Sequence, residues 1–138
     1  MKIKKIETAF SDDRGTISDI FYKVDINHVA VIKTHNKGRI IRGNHYHKLT
    51  TQHIYMTKGS LRYWYKKYGE DVPVKVIDVP EGYMVSTEPY EVHALEHLEE
   101  SEFIVFSTGL RGGMDYESDT FRDEVILKWY IIEFYQNL

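Results

Sequence analysis

The stretch Arg42-Gly43-Asn44-His45-Tyr46-His47-Lys48 contains two histidines that are separated by a single residue. Side chains alternate between the two faces of a β-strand, so this spacing places both imidazoles on one face. Gln52 follows five residues after the second histidine, and the turn residue Gly59 follows seven residues after that. Two imidazoles and one amide in this order could bind a metal ion or transfer protons.

The overall composition limits the classes of protein to consider. The chain has 138 residues, which predicts one domain spanning 1–138. Its net charge of −3 gives no basic field for nucleic acid or for an anionic membrane. Cysteine is absent, which excludes disulfides and thiolate ligands and fits a cytoplasmic location. No apolar run approaches the length of a membrane span.

Short strand-like segments recur along the chain, with turn residues between them. These segments are 17–24, 28–33, 53–57, 61–67, 74–79, 83–87, 92–98 and 103–108. Many short strands at this spacing predict an all-β sandwich or barrel. In the tail, from Asp119 to Gln136, the apolar residues follow a three-to-four spacing: Phe121, Val125, Trp129 and Ile132. This spacing favours a short C-terminal helix with Asp119 as its candidate N-cap, although 125–127 and 130–132 are also good strand formers.

Several of these motifs resemble parts of one superfamily. The histidine stretch resembles the first motif of the cupins, with Gln52 in place of the usual glutamate. Asp12-Asp13-Arg14-Gly15 is similar to the opening of dTDP-4-dehydrorhamnose 3,5-epimerases. The order Arg-Gly-Asn-His-Tyr-His resembles the C-terminal cupin domain of enzymes that epimerise capsule sugars. The order His-x-His-Lys, followed by glutamine, and the segment Glu117-Ser118-Asp119-Thr120 resemble dTDP-sugar 3,4-ketoisomerases.

This resemblance implies a cupin (jelly-roll) barrel, a homodimer and a nucleotide-sugar substrate. It also implies an isomerase or epimerase that acts on a 4-keto-6-deoxy sugar in surface-polysaccharide biosynthesis, without an organic cofactor. A histidine near the sugar would remove an acidified C–H proton next to the carbonyl. His45 is the expected base, and His47 or His93 would position it or act as the second acid or base.

Other residues receive roles from the same expectation. Arg14, Arg42 and Lys48 are predicted to bind the substrate, because cations can hold phosphate or polarise the carbonyl. An epimerase also needs an acid on the opposite face of the sugar. Tyr63 and Tyr65 alternate onto one face of their strand and are the candidates for that role.

The same histidines also fit two other functions. In a metal-dependent cupin of the dioxygenase type, His45, His47, His93 and Gln52 would hold Zn, Fe, Ni or Mn. His93 is assigned by its resemblance to the second cupin motif, although Glu91 replaces the glycine expected there. A neutral glutamine lowers the affinity for a dication relative to glutamate. The third alternative is a non-catalytic cupin that binds sugars.

Overall fold

The computed structural model describes residues 1–35, 40–123 and 134–138, and its strands form two facing antiparallel sheets. The first sheet has the strand order β1 (Lys2–Lys5), β9 (Tyr83–Thr87), β6 (Thr51–Lys58), β11 (Ser101–Thr108) and β4 (His28–Thr34). The second has the order β12 (Phe121–Arg122), β5 (Ile40–Tyr46), β10 (Glu91–His97), β7 (Leu61–Lys67) and β8 (Lys75–Val79). A separate hairpin pairs β2 (Phe10–Asp12) with β3 (Gly15–Ile17), and Gly113–Asp115 form a 3-10 turn.

The core lies between the two sheets and follows directly from the two-residue period of the strands. Along β11 every second side chain is buried, and β6 shows the same alternation. The register pairs Phe103 with Met56 and Val105 with Ile54, so buried residues of neighbouring strands lie side by side. Tyr63, Leu61 and further aliphatic residues of the opposite sheet complete this cluster. The prediction of an all-β fold is confirmed.

One predicted strand, 17–24, was wrong. Only Ile17 is in a strand, and residues 18–27 run as irregular chain with a positive φ of 53° at Lys23. Among the apolar residues of this segment, Ile17, Tyr22 and Val24 are exposed. Phe21 makes edge-to-face contacts with His53 and Phe106 on the outer side of the first sheet. Packing of Phe21 therefore accounts for only part of the apolar character that suggested a strand.

The start of the predicted C-terminal helix was also wrong. Phe121 and Arg122 form β12 and pair with β5, so Asp119 is not a helix N-cap. Residues 134–136 are helical, and the rest of the predicted helix lies outside the described residues. None of the helices that the structure describes has the length and hydropathy of a membrane span.

The C-terminal residues contact the outer face of the second sheet. The buried carboxylate of Glu96 accepts hydrogen bonds from Trp64 Nε1 at 3.0 Å and from the Tyr135 hydroxyl at 3.2 Å. Arg62 donates to the same hydroxyl at 2.6 Å. Because Glu96 points outward and His93 inward from β10, this contact covers the sheet on the side opposite the histidines.

Burial of His97 makes the stability of the fold sensitive to acid. His97 stacks on Phe103 and contacts Ser101 Oγ through Nδ1 at 2.7 Å. Burial, assisted by the charge of Arg42, lowers the pKa of His97 to about 4 from 6.5. Between these two pH values the unfolded chain binds the proton and the folded protein does not, so stability is lost as the pH falls through this window.

We expect the free energy of unfolding to fall by about 1–2 kcal/mol between pH 7 and pH 5 on account of His97 alone. Urea unfolding at both pH values should show a smaller fall in His97→Gln than in the wild type. His35→Gln, at an exposed histidine, is the control and should keep the wild-type difference. An unchanged pH dependence in His97→Gln would show that His97 is not held neutral by burial.

Candidate functional site

A β-bulge in β5 sets the direction of the side chains at the site. The pairing of β5 with β10 matches Arg42 with Leu95 and His45 with His93, and the register shifts between these two pairs. Gly43 and Asn44 occupy the shift and both have positive φ, 85° and 59°. Arg42 and His45 are three residues apart, so strict alternation would put them on opposite faces. The bulge lets both line the same interior cavity.

The position of Gly43 requires glycine for a second reason. A Cβ atom there would lie 2.9 Å from the main-chain oxygen of His93. That distance is shorter than van der Waals contact, and the obstructing atom belongs to the backbone of the neighbouring strand. The close approach of β5 to β10 therefore depends on the missing side chain.

Three histidines meet inside the barrel. The nitrogen atoms that His45, His47 and His93 could offer to a ligand all lie within 4.8 Å of one another. The ring centroid of His45 lies 4.8 Å from that of His47 and 4.8 Å from that of His93. The ring centroids of His47 and His93 are 5.5 Å apart. The structure thus brings together His45 of β5, His47 directly after it, and the histidine that the second motif suggested.

Backbone carbonyls orient two of the three rings. Nδ1 of His47 lies 2.7 Å from the carbonyl oxygen of Asp119, and Nδ1 of His93 lies 3.0 Å from that of Glu91. A carbonyl oxygen only accepts, so each Nδ1 carries a proton and each neutral ring keeps its lone pair on Nε2. Nε2 of His47 lies 3.2 Å from Gln52 Oε1. The Gln52 amide can turn its nitrogen to this position and donate to the lone pair.

The environment keeps these rings neutral. Burial is the main cause that lowers the pKa of His45 to about 2 and that of His93 to about 3. The neighbouring imidazoles and the guanidinium of Arg111 act in the same direction, and burial also lowers the pKa of His47. Nδ1 of His45 is buried without a hydrogen-bond partner among the described residues. The cluster can therefore accept a proton or bind a metal ion at neutral pH.

His45 and His93 line a cavity of about 230 Å³ that carries positive charge, and His47 is fully buried beside them. Its polar lining residues are Arg42, His45, Gln52, His93, Arg111, Glu117, Thr120 and Arg122. Arg122 of β12 is the register partner of His45 in β5. The guanidinium of Arg122 lies 3.6 Å from a carboxylate oxygen of Glu117. Three arginines against one glutamate favour an anionic ligand.

The loop before β12 supplies residues that the sequence predictions missed. Arg111 donates to the carbonyl oxygen of Tyr116 at 2.7 Å and to Thr120 Oγ1 at 3.4 Å. The segment Glu117-Ser118-Asp119-Thr120 resembles an enzyme motif, and that signal could have identified Glu117 and Thr120. Arg111 had no such signal, because its approach to the histidines depends on how the loop folds back over the barrel.

Two of the three predicted substrate-binding residues lie away from this cavity. Arg42 lines it and also donates to Thr34 Oγ1 at 3.1 Å. Arg14 is exposed in the β2–β3 hairpin, where it forms a 2.6 Å ion pair with Asp12. Lys48 lies over the ring of Phe121, with Nζ 4.1 Å from the ring centroid.

The two candidate tyrosines face inward but are not among the described residues that line the histidine cavity. The hydroxyl of Tyr63 donates to Glu91 Oε1 at 2.6 Å and lies 2.7 Å from Thr87 Oγ1. Burial and the charge of Glu91 raise the pKa of Tyr63 well above its usual value. Tyr65 lines a different cavity, of about 500 Å³, together with Glu91. The acid role of these tyrosines stays a prediction.

Comparison with known proteins gives similarity at the level of structure. No protein-family model and no curated protein matches the sequence. A variant of the 3,4-ketoisomerase QdtA from Thermoanaerobacterium thermosaccharolyticum, solved with TDP-4-keto-6-deoxyglucose, is 22% identical, with a TM-score of 0.70 over 96% of this chain and 91% of its own. A 3,4-ketoisomerase from Helicobacter canadensis is 18% identical, with a TM-score of 0.72 over 88% of this chain and 90% of its own.

A dTDP-4-dehydrorhamnose 3,5-epimerase from Sulfolobus tokodaii is also similar. It is 18% identical, with a TM-score of 0.67 over 86% of this chain and 73% of its own. These similarities confirm that the chain has the cupin fold.

The role of the bulge can be tested by adding one methyl group. Gly82 has nearly the same backbone conformation as Gly43, φ 84° against 85°, but a Cβ at Gly82 would meet nothing within 4 Å. We expect Gly82→Ala to lose about 1–2 kcal/mol of unfolding free energy, the cost of a left-handed alanine. Gly43→Ala should lose about 1–3 kcal/mol more, because its methyl group collides with β10. Equal losses in urea unfolding would show that close approach at Gly43 is unimportant.

Proposed function

We propose that this protein is an isomerase or epimerase acting on a nucleotide-linked 4-keto-6-deoxy sugar in the cytoplasm, for surface-polysaccharide biosynthesis. The observation that carries the proposal is the cluster of three neutral histidines, two of which, His45 and His93, line one cavity with Arg42, Arg111 and Arg122. The cavity thus combines bases with positive charge. One of the structurally similar ketoisomerases holds TDP-4-keto-6-deoxyglucose, a ligand of this chemical class.

The chemistry needs only proton transfer next to a carbonyl. In a 4-keto sugar the hydrogens at C3 and C5 are acidified by the C4 carbonyl. His45 takes one of these protons, and the electron pair moves onto the C4 oxygen as an enolate. Return of a proton to the same carbon from the opposite face gives an epimer. Return of a proton to C4, with loss of the C3 hydroxyl proton, gives the 3-keto isomer. Arginine charge near the oxygen stabilises the enolate.

Cavity size and charge support a division of the substrate between two regions. A volume of about 230 Å³ is below the usual 300–1,000 Å³ range of sites for drug-sized ligands. It suits the sugar ring, while the diphosphate and nucleoside would extend beyond it. Guanidinium groups at the cavity can hold phosphate oxygens bidentately. Binding roles for Arg14 and Lys48 remain proposals, and contacts beyond the cavity would have to supply them.

A second candidate function, metal-dependent chemistry, would use the same donor set. Two of the three imidazoles donate Nδ1–H to carbonyls, which is the orientation that metal-binding histidines usually have. His45, His47 and His93 would hold Zn, Fe, Ni or Mn, with Gln52 as a weak fourth donor. Such an ion would supply Lewis acidity toward an oxygen of the substrate.

We also propose that the protein is a homodimer. Several apolar side chains of the β2–β3 hairpin and the edge strand β4 are exposed: Phe10, Ile17, Val29 and Val31. Val31, for example, is 57% exposed on a strand that has an unpaired edge among the described residues. A second copy would remove this surface from water.

Incorporation of solvent deuterium tests the proposed reaction. We expect deuterium from D2O to enter C3, C5 or the product C4 of TDP- or UDP-linked 4-keto-6-deoxy sugars, since each route returns a solvent-exchangeable proton to carbon. Mass spectrometry and proton NMR of the recovered sugar locate the label. Label at C3 or C5 with inverted configuration identifies an epimerase, and a 3-keto product identifies a ketoisomerase. Binding without exchange would instead support a non-catalytic sugar-binding cupin.

Variants assign the base in the same assay. His45→Asn should reduce exchange by about 10²–10⁴-fold, the usual contribution of a general base. His47→Asn should also reduce exchange, and His35→Asn, at an exposed histidine, should not. Full turnover in His45→Asn would remove His45 from the role of base.

Zinc and a chelator separate the two candidate functions. Because a bound ion would occupy the imidazole lone pairs, we expect Zn²⁺ to raise the melting temperature of the wild type and to inhibit exchange. EDTA should restore exchange. His93→Asn should lose most of the thermal shift, since removal of one ligand weakens the site. Loss of activity on chelation, with recovery on adding metal, would instead support metal-dependent chemistry.

A further inference from the structure

Asp119 is 3% exposed, and its carboxylate holds the turn that follows the histidine pair. Oδ1 accepts a hydrogen bond from the amide of Lys48 at 2.9 Å. Oδ2 accepts from the amides of Leu49 and Thr50 at 2.9 and 2.8 Å and from Thr50 Oγ1 at 2.8 Å. Burial acts to raise the pKa of Asp119, but these four donors outweigh it and lower the pKa below its usual value. The group is thus an anion that is fully engaged by one turn.

The main chain of the same residue contacts the site. Its carbonyl oxygen accepts from Nδ1 of His47 at 2.7 Å. One residue therefore holds the histidine at two points. Its side chain is bonded to the three residues that follow His47, and its backbone is bonded to the imidazole. The sequence separation is 72 residues, so the local chain of His47 does not provide this acceptor.

The direction of this bond decides which nitrogen of His47 is available. With Nδ1–H donated to the carbonyl, the lone pair of the neutral ring is on Nε2, on the side of Gln52. If the carbonyl moved away, the ring could adopt the other tautomer, with the proton on Nε2. In that state Nε2 could not accept a proton from a substrate or from a neighbouring histidine.

We propose that Asp119 is the positioning residue of His47: its carboxylate fixes its own main chain to the 48–50 turn, so that its carbonyl selects the Nδ1–H tautomer. The neighbouring residues fit this role. Thr120 and Arg122 line the cavity on the same stretch of chain. The hydrogen bonds of Asp119 therefore position this part of the cavity wall as well as selecting the tautomer of His47. The catalytic consequence rests on the proposed function, whereas the tautomer itself does not.

Nitrogen-15 NMR of histidine-labelled protein measures the tautomer directly. In the wild type at neutral pH we expect the His47 signals of the Nδ1–H form, assigned by their loss in His47→Asn. Asp119→Ala should shift them toward the Nε2–H form. Thr50→Val removes only one of the four donors and should retain the wild-type signals. Asp115→Asn, at an exposed aspartate of the same loop, is the matched control and should change nothing.

Kinetics supply the second measurement. In the exchange assay, Asp119→Ala should lower kcat by about 10- to 100-fold, with a much smaller change in KM. A folded Asp119→Ala protein that keeps the wild-type His47 signals overturns the proposal, whatever its activity. Should Asp119→Ala fail to fold, Asp119→Asn keeps one acceptor oxygen and should show a mixture of tautomers, and pure Nδ1–H signals there overturn it equally. If no sugar nucleotide is turned over, the proposed function fails while the NMR result still decides the tautomer.

Discussion

The site depends on the bulge at Gly43 and Asn44, where two consecutive residues have positive φ. A regular strand would send Arg42 and His45 to opposite faces of the sheet. With the bulge, one strand delivers a cation and a base to the same cavity. Such backbone is costly for Asn44, and neighbouring bonds help to hold it, including Asp123 N–H to the Asn44 carbonyl at 2.9 Å. The loop that supplies Arg122 thus also stabilises the bulge.

Burial and positive charge act together on the histidines. Both disfavour an imidazolium, which explains why His45 and His93 have pKa values of about 2 and 3. A histidine with so low a pKa is unprotonated at neutral pH, but it is a weak base. The arginines are a smaller cause than burial and the neighbouring imidazoles, so the phosphates of an anionic substrate would offset only part of this lowering. The same arginines would then stabilise the enolate.

Local patterns predicted the strands and the histidine pair, and long-range contacts account for most of what they did not predict. Strand alternation placed His45 and His47 on one face, and the resemblance to the cupins added His93 although Glu91 interrupts the motif. The hydrogen bonds of Asp119 join segments some 70 residues apart, and Arg111 reaches the cavity from the loop before β12. The spacing of residues within one segment cannot predict contacts between distant segments. The segment 17–24 misled for a related reason, because Phe21 packs on a distant sheet surface instead of pairing in a strand.

Gln52 separates the two chemistries that the same three histidines could support. A glutamate at this position would place a negative charge about where the amide oxygen lies, 3.2 Å from Nε2 of His47. That charge would strengthen a dication site and, without a metal, would raise the pKa of His47 and favour the imidazolium. The amide carries no charge for a dication, and although its hydrogen bond also raises the pKa of His47, burial outweighs it and keeps that pKa low. The amide can donate to a neutral ring or accept from a protonated one, so it tolerates both states through which a proton-transfer residue must pass. The residue that departs from the cupin pattern is therefore the one that fits best with acid–base chemistry.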